Sequence, residues 1–272
     1  MKEEVQGSYL AIVPARGGSL GLPRKNLRLV QGISLTARTV LIARHIKKIK
    51  WLIVSTDDRD IAREAERAGA EIPFLRPENL SRSETPMLAV LEHAMGWFKS
   101  AVADLNRCLG VVLLQPTSPM RKVSHVLGAI HLYESFRSTG KEVAAVHTVS
   151  PVPSEFLPWE FWVQKKSDNM VEGNDEKMGR VLQPVEGLEK KEVYYRNGAA
   201  VILAPENLEA LNLSEGPVFP YVIDEPLVTI DSVYDLLRAE YCGRRLEPDS
   251  EETDWYPGPH GHAQGSEVYG ES

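Results

Sequence analysis

The sequence predicts an α/β fold with a largely parallel sheet. Short apolar runs alternate with amphipathic segments of helical length along most of the chain, which is typical of strands joined by helical crossovers. A glycine-rich loop follows the first apolar run, and loops of this kind suit phosphate groups. The chain has 272 residues, enough for one large domain or for a domain with an added lobe.

Seven apolar runs are predicted to be strands, because they are rich in branched residues and most end at turn residues. They are Tyr9–Pro14, Trp51–Ser55, Leu109–Leu114, Val143–Thr148, Gly198–Leu203, Val218–Ile223 and Val228–Asp231.

The segments between these runs have the apolar spacing of helices. The predicted helices cover residues 35–49, the residues after Asp58, those from Thr85, those from Ser124, and about 232–245. Asp57 or Asp58 can cap the second helix, and Gly69 can end it. Thr85-Pro86 offers a capping hydroxyl and a proline in the first turn.

The C-terminal segment carries the whole net charge. The formal net charge is −7, and residues 247–272 contain seven acids and no Lys or Arg. Residues 1–246 are therefore neutral overall and have no basic face, which argues against nucleic acid as the main partner. We expect the acidic tail, residues 247–272, to be disordered and dispensable for catalysis.

Composition also bears on the compartment. No apolar run reaches the roughly 18 residues that a membrane span needs, so no membrane partner is expected. The first residues are polar and acidic, unlike a signal peptide. Cys108 and Cys242 form no Cys-x-x-Cys pair, which fits a reducing environment. We therefore expect a cytoplasmic protein.

Residues 150–192 interrupt the alternation of strands and helices. This segment contains several prolines and a polar, charged middle. Its large apolar residues are Phe156, Leu157, Trp159, Phe161 and Trp162. Because so many apolar groups are unusual in a solvated loop, we interpret the segment as an arm that packs against a second subunit in a homodimer. Packing of Trp159 and Trp162 within the arm is favoured over a sugar-binding platform.

The loop from Ala15 to Leu27 combines three glycines with basic residues. Glycine lets the backbone turn sharply and point its N–H groups inward, which suits phosphate oxygens. The basic residues in or beside the loop are Arg16, Arg24, Lys25 and Arg28. The loop lacks both the Gly-Lys-Ser/Thr ending of a P-loop and the Gly-x-Gly-x-x-Gly of a dinucleotide site. The alternative is an ordinary glycine-rich turn with surface cations.

This loop resembles the signature of the cytidylyltransferases that activate nine-carbon sugar acids, the CMP-sialic acid synthetases and their legionaminic and pseudaminic acid relatives. Five further matches follow in that family's order. They are Ser55-Thr56-Asp57, Leu75-Arg76-Pro77 with Thr85-Pro86-Met87, Leu114–Arg121, Tyr195–Ala199 and Ile230-Asp231-Ser232. The resemblance covers about residues 8–240. It implies a three-layer, Rossmann-like nucleotide-diphospho-sugar transferase fold, with residues 1–246 as the catalytic domain and residues 150–192 as a dimerisation arm.

The resemblance also implies a role for each matched residue. The residues implied to bind CTP are Ala15, Arg16, Gly17, Ser19, Lys25, Asn26, Arg76 and Gln115. Gln115, Arg196 and Asn197 are implied to bind the sugar acid. Asp231 is implied to hold Mg²⁺, a cation that takes oxygen ligands and keeps several waters. The implied catalytic residues are Arg16, Lys25 and Asp231.

Each of these roles has a simpler alternative. Gln115 can belong to a helix-starting turn that binds nothing, and Arg196 can be an ordinary surface cation. Asp231 can cap the last helix instead of holding a metal. For Asp57, a helix cap is favoured over a ligand role.

The implied activity is transfer of CMP from CTP to a sialic-acid-like sugar acid, with release of pyrophosphate. Three departures from the family pattern are visible: Leu20 stands where the family has Lys, Thr229 where it has Asp, and Arg82-Ser83-Glu84 where it has Ser-Asp-Thr. The alternatives are another acidic acceptor such as a Kdo-like acid, a nucleotide-binding protein that has lost catalysis, and an interaction module that acts through its acidic tail.

Overall fold

The structure is a computed structural model that describes residues 8–19, 21–102, 107–152, 162–164, 182–184, 193–208, 216–225 and 227–243. A six-stranded sheet forms the centre of this part of the chain. None of the helices in these ranges combines the length and the hydropathy that a membrane crossing requires.

The strands are β1 (Ser8–Pro14), β2 (Leu29–Val30), β3 (Ile33–Ser34), β4 (Ile49–Ser55), β5 (Cys108–Leu113), β6 (Ala145–Pro151), β7 (Trp162–Gln164), β8 (Leu182–Pro184), β9 (Tyr194–Leu203) and β10 (Val218–Val222). The central sheet has the order β4-β1-β5-β9-β6-β10. β1 pairs in parallel with β4 and β5, and β6 pairs in parallel with β10, whereas β9 is antiparallel to both of its neighbours. The predicted, mostly parallel α/β sheet is confirmed.

The helices in the described ranges are α1 (Leu35–His45), α2 (Arg59–Arg67), α3 (Met87–Ala101), α4 (Val123–Ser138) and α5 (Val233–Gly243), with short 3-10 helices at Lys25–Leu27 and Glu78–Leu80. The predicted helix over residues 35–49 is too long. It ends at His45, since Ile49 already begins the β4 strand that pairs with β1. Tertiary pairing overrides helical spacing there.

Helices cover both faces of the sheet, which gives three layers. Successive side chains of a strand point to opposite faces, so Ala11 and Val13 of β1 pack with α1, α2 and α4. Leu10 and Ile12 pack on the other face, against α3 and its fully buried Phe98. Burial of one such large apolar side chain stabilises the fold by about 1.5–3 kcal/mol.

The predicted strand at Val228–Asp231 is absent from the structure, because none of these residues pairs with the sheet. The amide of Ile230 instead donates to the carbonyl oxygen of Thr117 at 2.8 Å. The segment is thereby attached to the loop that follows β5. This bond, together with the packing of Ile230 and Ala239 in one apolar cluster with Met120, holds the start of α5 at the carboxyl edge of the sheet.

Within the predicted arm, β7 and β8 pair antiparallel, with Trp162 opposite Pro184. The rest of that prediction, residues 153–161, 165–181 and 185–192, lies outside the described residues, and so does the acidic tail, residues 247–272. The dimerisation role of the arm and the disorder of the tail therefore stay predictions.

Asp58 is the residue that caps α2. Its carboxylate accepts hydrogen bonds from the amides of Asp60 at 2.7 Å and Ile61 at 3.1 Å. The prediction that Asp57 is a helix cap is therefore wrong. Position decides the matter, because only a residue directly before the first helical turn can reach the free amides of that turn.

We predict that Asp58→Ala lowers the free energy of unfolding by about 1 kcal/mol, because two amides of α2 lose their acceptor. Asp58→Asn is the control, since its side-chain oxygen can still accept these bonds. Urea unfolding of the three proteins gives the comparison. An alanine variant as stable as the wild type would contradict the assignment of the cap.

Candidate functional site

A cavity of about 220 Å³ opens at the carboxyl ends of β1 and β5. This is the edge at which open α/β sheets bind ligands. Its lining residues are Pro14, Arg16, Lys25, Asn26, Arg76, Leu80, Arg82, Ser83, Thr85, Met87, Val90, Gln115, Pro116 and Thr117. The parallel pairing of β1 with β4 and β5 brings these residues together, because it places three strand ends side by side.

The lining is strongly cationic. The described residues around the cavity include four cationic side chains, those of Arg16, Lys25, Arg76 and Arg82, and no carboxylate. Within the described part of the chain, the guanidinium groups of Arg16 and Arg82 form neither a hydrogen bond nor an ion pair with another residue. A concave surface with unpaired guanidinium groups suits an anion with several oxygen atoms, such as a phosphate chain.

Arg76 is the most rigidly held of these cations. It is 6% exposed, and its Nε donates to the Ser55 hydroxyl at 3.1 Å while its Nη2 donates to the Ser55 carbonyl oxygen. Its own amide donates to the carbonyl oxygen of Thr56 at 2.7 Å. Burial lowers the pKa of Arg76 to about 10, with the nearby Asp57 raising it and Arg16 lowering it. Arg76 is therefore a fixed cation at neutral pH.

The glycine-rich loop is held on both sides of Arg16. The amide of Ala15 donates to the carbonyl oxygen of Ser55 at 3.0 Å, and the amide of Gly17 donates to Asp57 Oδ1 at 2.9 Å. The side-chain amide of Asn26 donates to the Arg16 carbonyl oxygen at 2.9 Å. The N–H of Gly17 thus has a carboxylate acceptor in this structure, so it differs from the expected inward-pointing phosphate donor.

The remaining loop residues lie beside the cavity. Ala15 is fully buried, Ser19 is half-buried, and neither belongs to the cavity lining. Leu20 lies outside the described residues. Asn26 lines the cavity, and its carbonyl oxygen accepts a hydrogen bond from Thr36 at 2.9 Å, which fixes the loop to α1.

Lys25 and Asp231 meet at the edge of the cavity, although 206 positions separate them in the chain. Lys25 Nζ donates to Asp231 Oδ1 at 2.9 Å, and the Asp231 side chain is 74% exposed. Asp231 does not cap α5. Ser232 does so, because its hydroxyl accepts from the Asp235 amide at 3.3 Å while Asp235 Oδ2 accepts from the Ser232 amide at 2.9 Å.

The described residues contain no group of three or more Asp, Glu, His or Cys side chains that could hold a metal ion. One exposed carboxylate beside a cationic cavity nevertheless fits Mg²⁺, which keeps several waters and commonly shares its coordination with substrate phosphates. Asp231 fits that description. It does not fit a metal held by protein ligands alone, since its nearest partner is the Lys25 ammonium.

Gln115 lines the cavity where β5 ends. Gly198 of β9 packs directly against it: a Cβ atom on Gly198 would lie 2.9 Å from Gln115 Oε1, and φ at Gly198 is +68°. Gly198 can therefore adopt this backbone conformation at little cost, whereas other residues would be strained. β9 is the strand that also carries Arg196 and Asn197.

Arg196 and Asn197 differ sharply in exposure. Arg196 is exposed and does not line the cavity. Asn197 is fully buried. Its Oδ1 accepts from the Thr148 hydroxyl at 2.6 Å and from the Ala199 amide at 3.0 Å, and its Nδ2 donates to the Ser150 hydroxyl at 3.0 Å. The structure therefore places Asn197 inside the sheet, where it joins β9 to β6.

Two arginines of this region are not among the site residues predicted from the sequence. Arg121 is fully buried, and its guanidinium donates to the carbonyl oxygens of Gln115 at 2.5 Å and Gly198 at 3.2 Å, and also to that of Ala199. Burial lowers its pKa to about 9. Arg82 lines the cavity. The sequence held a clue to each of them. Arg121 is the last residue of the Leu114–Arg121 motif, and Arg82 begins the Arg82-Ser83-Glu84 segment that differs from the family pattern before α3.

A family model described as "Cytidylyltransferase" matches residues 10–153, more than half of the chain. The chain belongs to the cytidylyltransferase family. The resemblance inferred from the loop and the later motifs is thus confirmed at the level of the family, and the matched range includes the whole described cavity lining.

Curated cytidylyltransferases are similar over about half of the chain. A CMP-N,N'-diacetyllegionaminic acid synthase of Legionella pneumophila is 36% identical over 145 residues, which are 53% of this chain and 60% of the relative. An N-acylneuraminate cytidylyltransferase of Escherichia coli is 32% identical over 142 residues, 52% of this chain and 32% of the relative. The matched segments therefore span less than two thirds of the length of these relatives.

Solved structures confirm the fold over a longer range. A CMP:2-keto-3-deoxy-manno-octonic acid synthetase complexed with CTP superposes with a TM-score of 0.57 at 13% identity, over 88% of this chain and 99% of that one. A 4-diphosphocytidyl-2C-methyl-D-erythritol synthase from Anaerococcus prevotii gives 0.56 at 15% identity, over 88% and 100%. At these identities the similarity concerns the fold alone.

We predict opposite effects for the neighbours Asn197 and Arg196. Asn197→Ala removes the acceptor of the buried Ala199 amide and a hydrogen bond to the buried Ser150 hydroxyl, so the free energy of unfolding should fall by about 1–3 kcal/mol. Arg196→Ala should change it by less than about 0.5 kcal/mol, as is usual at the surface. Urea unfolding measures both. Equal stability of the two variants would contradict the structural role of Asn197.

Proposed function

We propose that this protein transfers CMP from CTP to a sialic-acid-like sugar acid and releases pyrophosphate. One observation carries the proposal: a cavity with four cationic side chains and no carboxylate in its described lining lies at the carboxyl edge of the sheet. Since the chain belongs to the cytidylyltransferase family, the phosphate chain of CTP is the anion that best accounts for this lining.

The acceptor class is supported by the names of similar proteins. These include synthases of CMP-N,N'-diacetyllegionaminic acid and cytidylyltransferases for N-acylneuraminate and pseudaminic acid. An acidic sugar also suits the exposed Arg196, which lies on β9 two residues before Gly198, the glycine that packs against Gln115. We therefore propose a sialic-acid-like acid as acceptor, bound through Gln115 and Arg196.

In the proposed reaction, a hydroxyl oxygen of the sugar acid attacks the α-phosphorus of CTP. A new bond forms between this oxygen and the α-phosphorus, the bond from the α-phosphorus to the bridging oxygen breaks, and pyrophosphate leaves with that electron pair. The hydroxyl proton passes to the surrounding solution. This chemistry depends on positioning and on stabilising the charge of the leaving group, and it needs no covalent intermediate.

Arg16 and Lys25 supply that stabilisation in the proposed mechanism. Both line the cavity, and both belong to the loop that follows β1. Their positive charges offset the negative charge that accumulates on the departing pyrophosphate. The buried Arg76 adds a charge whose position hardly changes, since Ser55 holds its guanidinium.

Mg²⁺ is the proposed cofactor, with Asp231 as its protein ligand. When bound, the ion supplies Lewis-acid stabilisation of phosphate oxygens. Asp231 can accept this role because its carboxylate is exposed next to Lys25. Lys25 in turn must exchange Asp231 for a phosphate oxygen, and an ion pair whose carboxylate is 74% exposed opposes the exchange only weakly.

The homodimer also remains a proposal. It is supported by the large apolar residues of the segment 150–192, most of which lies outside the described residues. In such a dimer the arm of one subunit packs against the other.

The direct test of the proposed function is pyrophosphate release from CTP in the presence of Mg²⁺. The acceptors are N-acetylneuraminic, legionaminic, pseudaminic and Kdo acids, each tested alone, with UTP and ATP as nucleotide controls. We expect release with CTP and at least one nine-carbon acid. Release with Kdo alone would change the acceptor class. No release with any acid, together with retained CTP binding, would favour a protein that has lost catalysis.

We predict that Arg16→Ala and Lys25→Ala each lower kcat/KM. The expected loss of transition-state stabilisation is about 2–4 kcal/mol, the range for loss of a preorganised donor. The matched control is Arg28→Ala. Arg28 belongs to the same basic segment, but it is exposed, donates to the Pro23 carbonyl oxygen and does not line the cavity. Wild-type turnover in either of the first two variants would exclude the phosphate role.

We predict that Asp231→Asn loses most of its Mg²⁺-dependent turnover and that Thr229→Asp reaches half-maximal rate at a lower Mg²⁺ concentration. The added carboxylate gives a hard cation a second charged oxygen ligand. Thr229→Asn is the control, because it changes size without adding charge. The rate is titrated with Mg²⁺ at saturating CTP. Full activity of Asp231→Asn would refute the proposed metal ligand.

A further inference from the structure

We propose that Asp57 is a positioning residue for the CTP site, holding the glycine-rich loop so that Arg16 stays at the cavity. The inference rests on the proposed function, because it assigns to Asp57 an effect on the reaction through Arg16. Asp57 does not line the cavity itself. It belongs to the Ser55-Thr56-Asp57-Asp58 turn that follows β4, the strand parallel to β1.

The carboxylate of Asp57 takes no part in capping α2. Asp58 already provides the cap of α2. The carboxylate of Asp57 is therefore available to the neighbouring loop, where its Oδ1 accepts from the Gly17 amide at 2.9 Å. Two adjacent aspartates thus have separate tasks, one within its own helix and one in the loop that follows β1.

Three bonds define the backbone around Arg16. Ala15 is held by the Ser55 carbonyl oxygen, the Arg16 carbonyl oxygen by the side chain of Asn26, and Gly17 by Asp57. Of the three partner groups, only Asp57 carries a charge, and charge-assisted hydrogen bonds are the stronger kind. Removal of Asp57 would leave the backbone on the C-terminal side of Arg16 without this hydrogen bond.

The loop also lies too close to this turn for a larger residue at Gly17. A Cβ atom there would lie 2.7 Å from Asp58 Oδ2 and 2.8 Å from Asp58 Cβ. Glycine permits this approach because it has no side chain. The hydrogen bond and the close packing therefore act on the same peptide unit, directly after Arg16.

The charge of Asp57 has a second consequence for the site. Arg16 and Arg76 both line the cavity and repel each other, whereas the negative charge of Asp57 attracts Arg76. Because Asp57 stays outside the lining, it offsets this repulsion without placing a carboxylate in the path of the phosphate chain. A substitution that keeps the hydrogen bond but removes the charge separates the two effects.

The experiment compares Asp57→Ala, Asp57→Asn and the wild type by hydrogen exchange of the Gly17 amide and by kcat/KM for CTP. In Asp57→Ala the amide loses its acceptor, so exchange should accelerate at least tenfold, and kcat/KM should fall by up to about 100-fold through misplacement of Arg16. In Asp57→Asn the side-chain oxygen can still accept the bond. We expect it to restore slow exchange and most of the kcat/KM.

Asp58→Ala is the matched control, since it truncates the adjacent aspartate and destabilises α2 but keeps the Cβ atom that lies near Gly17 and leaves the acceptor of the Gly17 amide in place. Slow exchange and near-normal kcat/KM are expected in this variant despite a lower Tm. Unchanged exchange or unchanged kcat/KM in Asp57→Ala overturns the proposal, and so does an asparagine variant as impaired as the alanine variant. The exchange measurement needs no substrate. Its result can therefore be interpreted even if the wild type releases no pyrophosphate from CTP.

Discussion

The parallel pairing of β1 with β4 and β5 is the constraint on which the candidate site depends. Parallel strands end on the same side of a sheet, so the loops that follow three strands must lie next to one another. Arg16 follows β1, Asp57 follows β4 and Gln115 follows β5. These residues come from distant parts of the chain, and the ladder of backbone hydrogen bonds brings them to one edge.

A cavity with so much positive charge has to be stabilised in the free protein. Three cations in and beside the cavity have polar partners: Ser55 accepts from Arg76, Asp231 from Lys25, and the carbonyl oxygens of β9 and of Gln115 accept from Arg121. Arg16 and Arg82 have no such side-chain partner within the described residues. The protein thus fixes some of its charges in advance and leaves others ready for an anionic ligand.

Asn197 shows that a sequence motif can group residues whose side chains have different roles in the structure. The Tyr195–Ala199 motif indicated that Arg196 and Asn197 belong together, and both do lie on β9. Alternation along the strand sends their side chains to different environments. Arg196 is exposed and Asn197 joins two strands inside the sheet. The predicted strand began at Gly198, whereas β9 begins at Tyr194, and only the pairing of β9 with β6 determines which residue can meet a ligand.

The sequence by itself determined the alternation of strands and helices, the glycine-rich loop and most of the cationic candidates, because these depend on residues close together in the chain. Tertiary structure decided that β9 is antiparallel, that Val228–Asp231 is no strand, that Asp58 rather than Asp57 caps α2, and that Arg82 lines the cavity. It also decided the contact between Lys25 and Asp231, 206 positions apart. Local spacing carries no information about such partners, since their distance is set by the packing of the whole sheet.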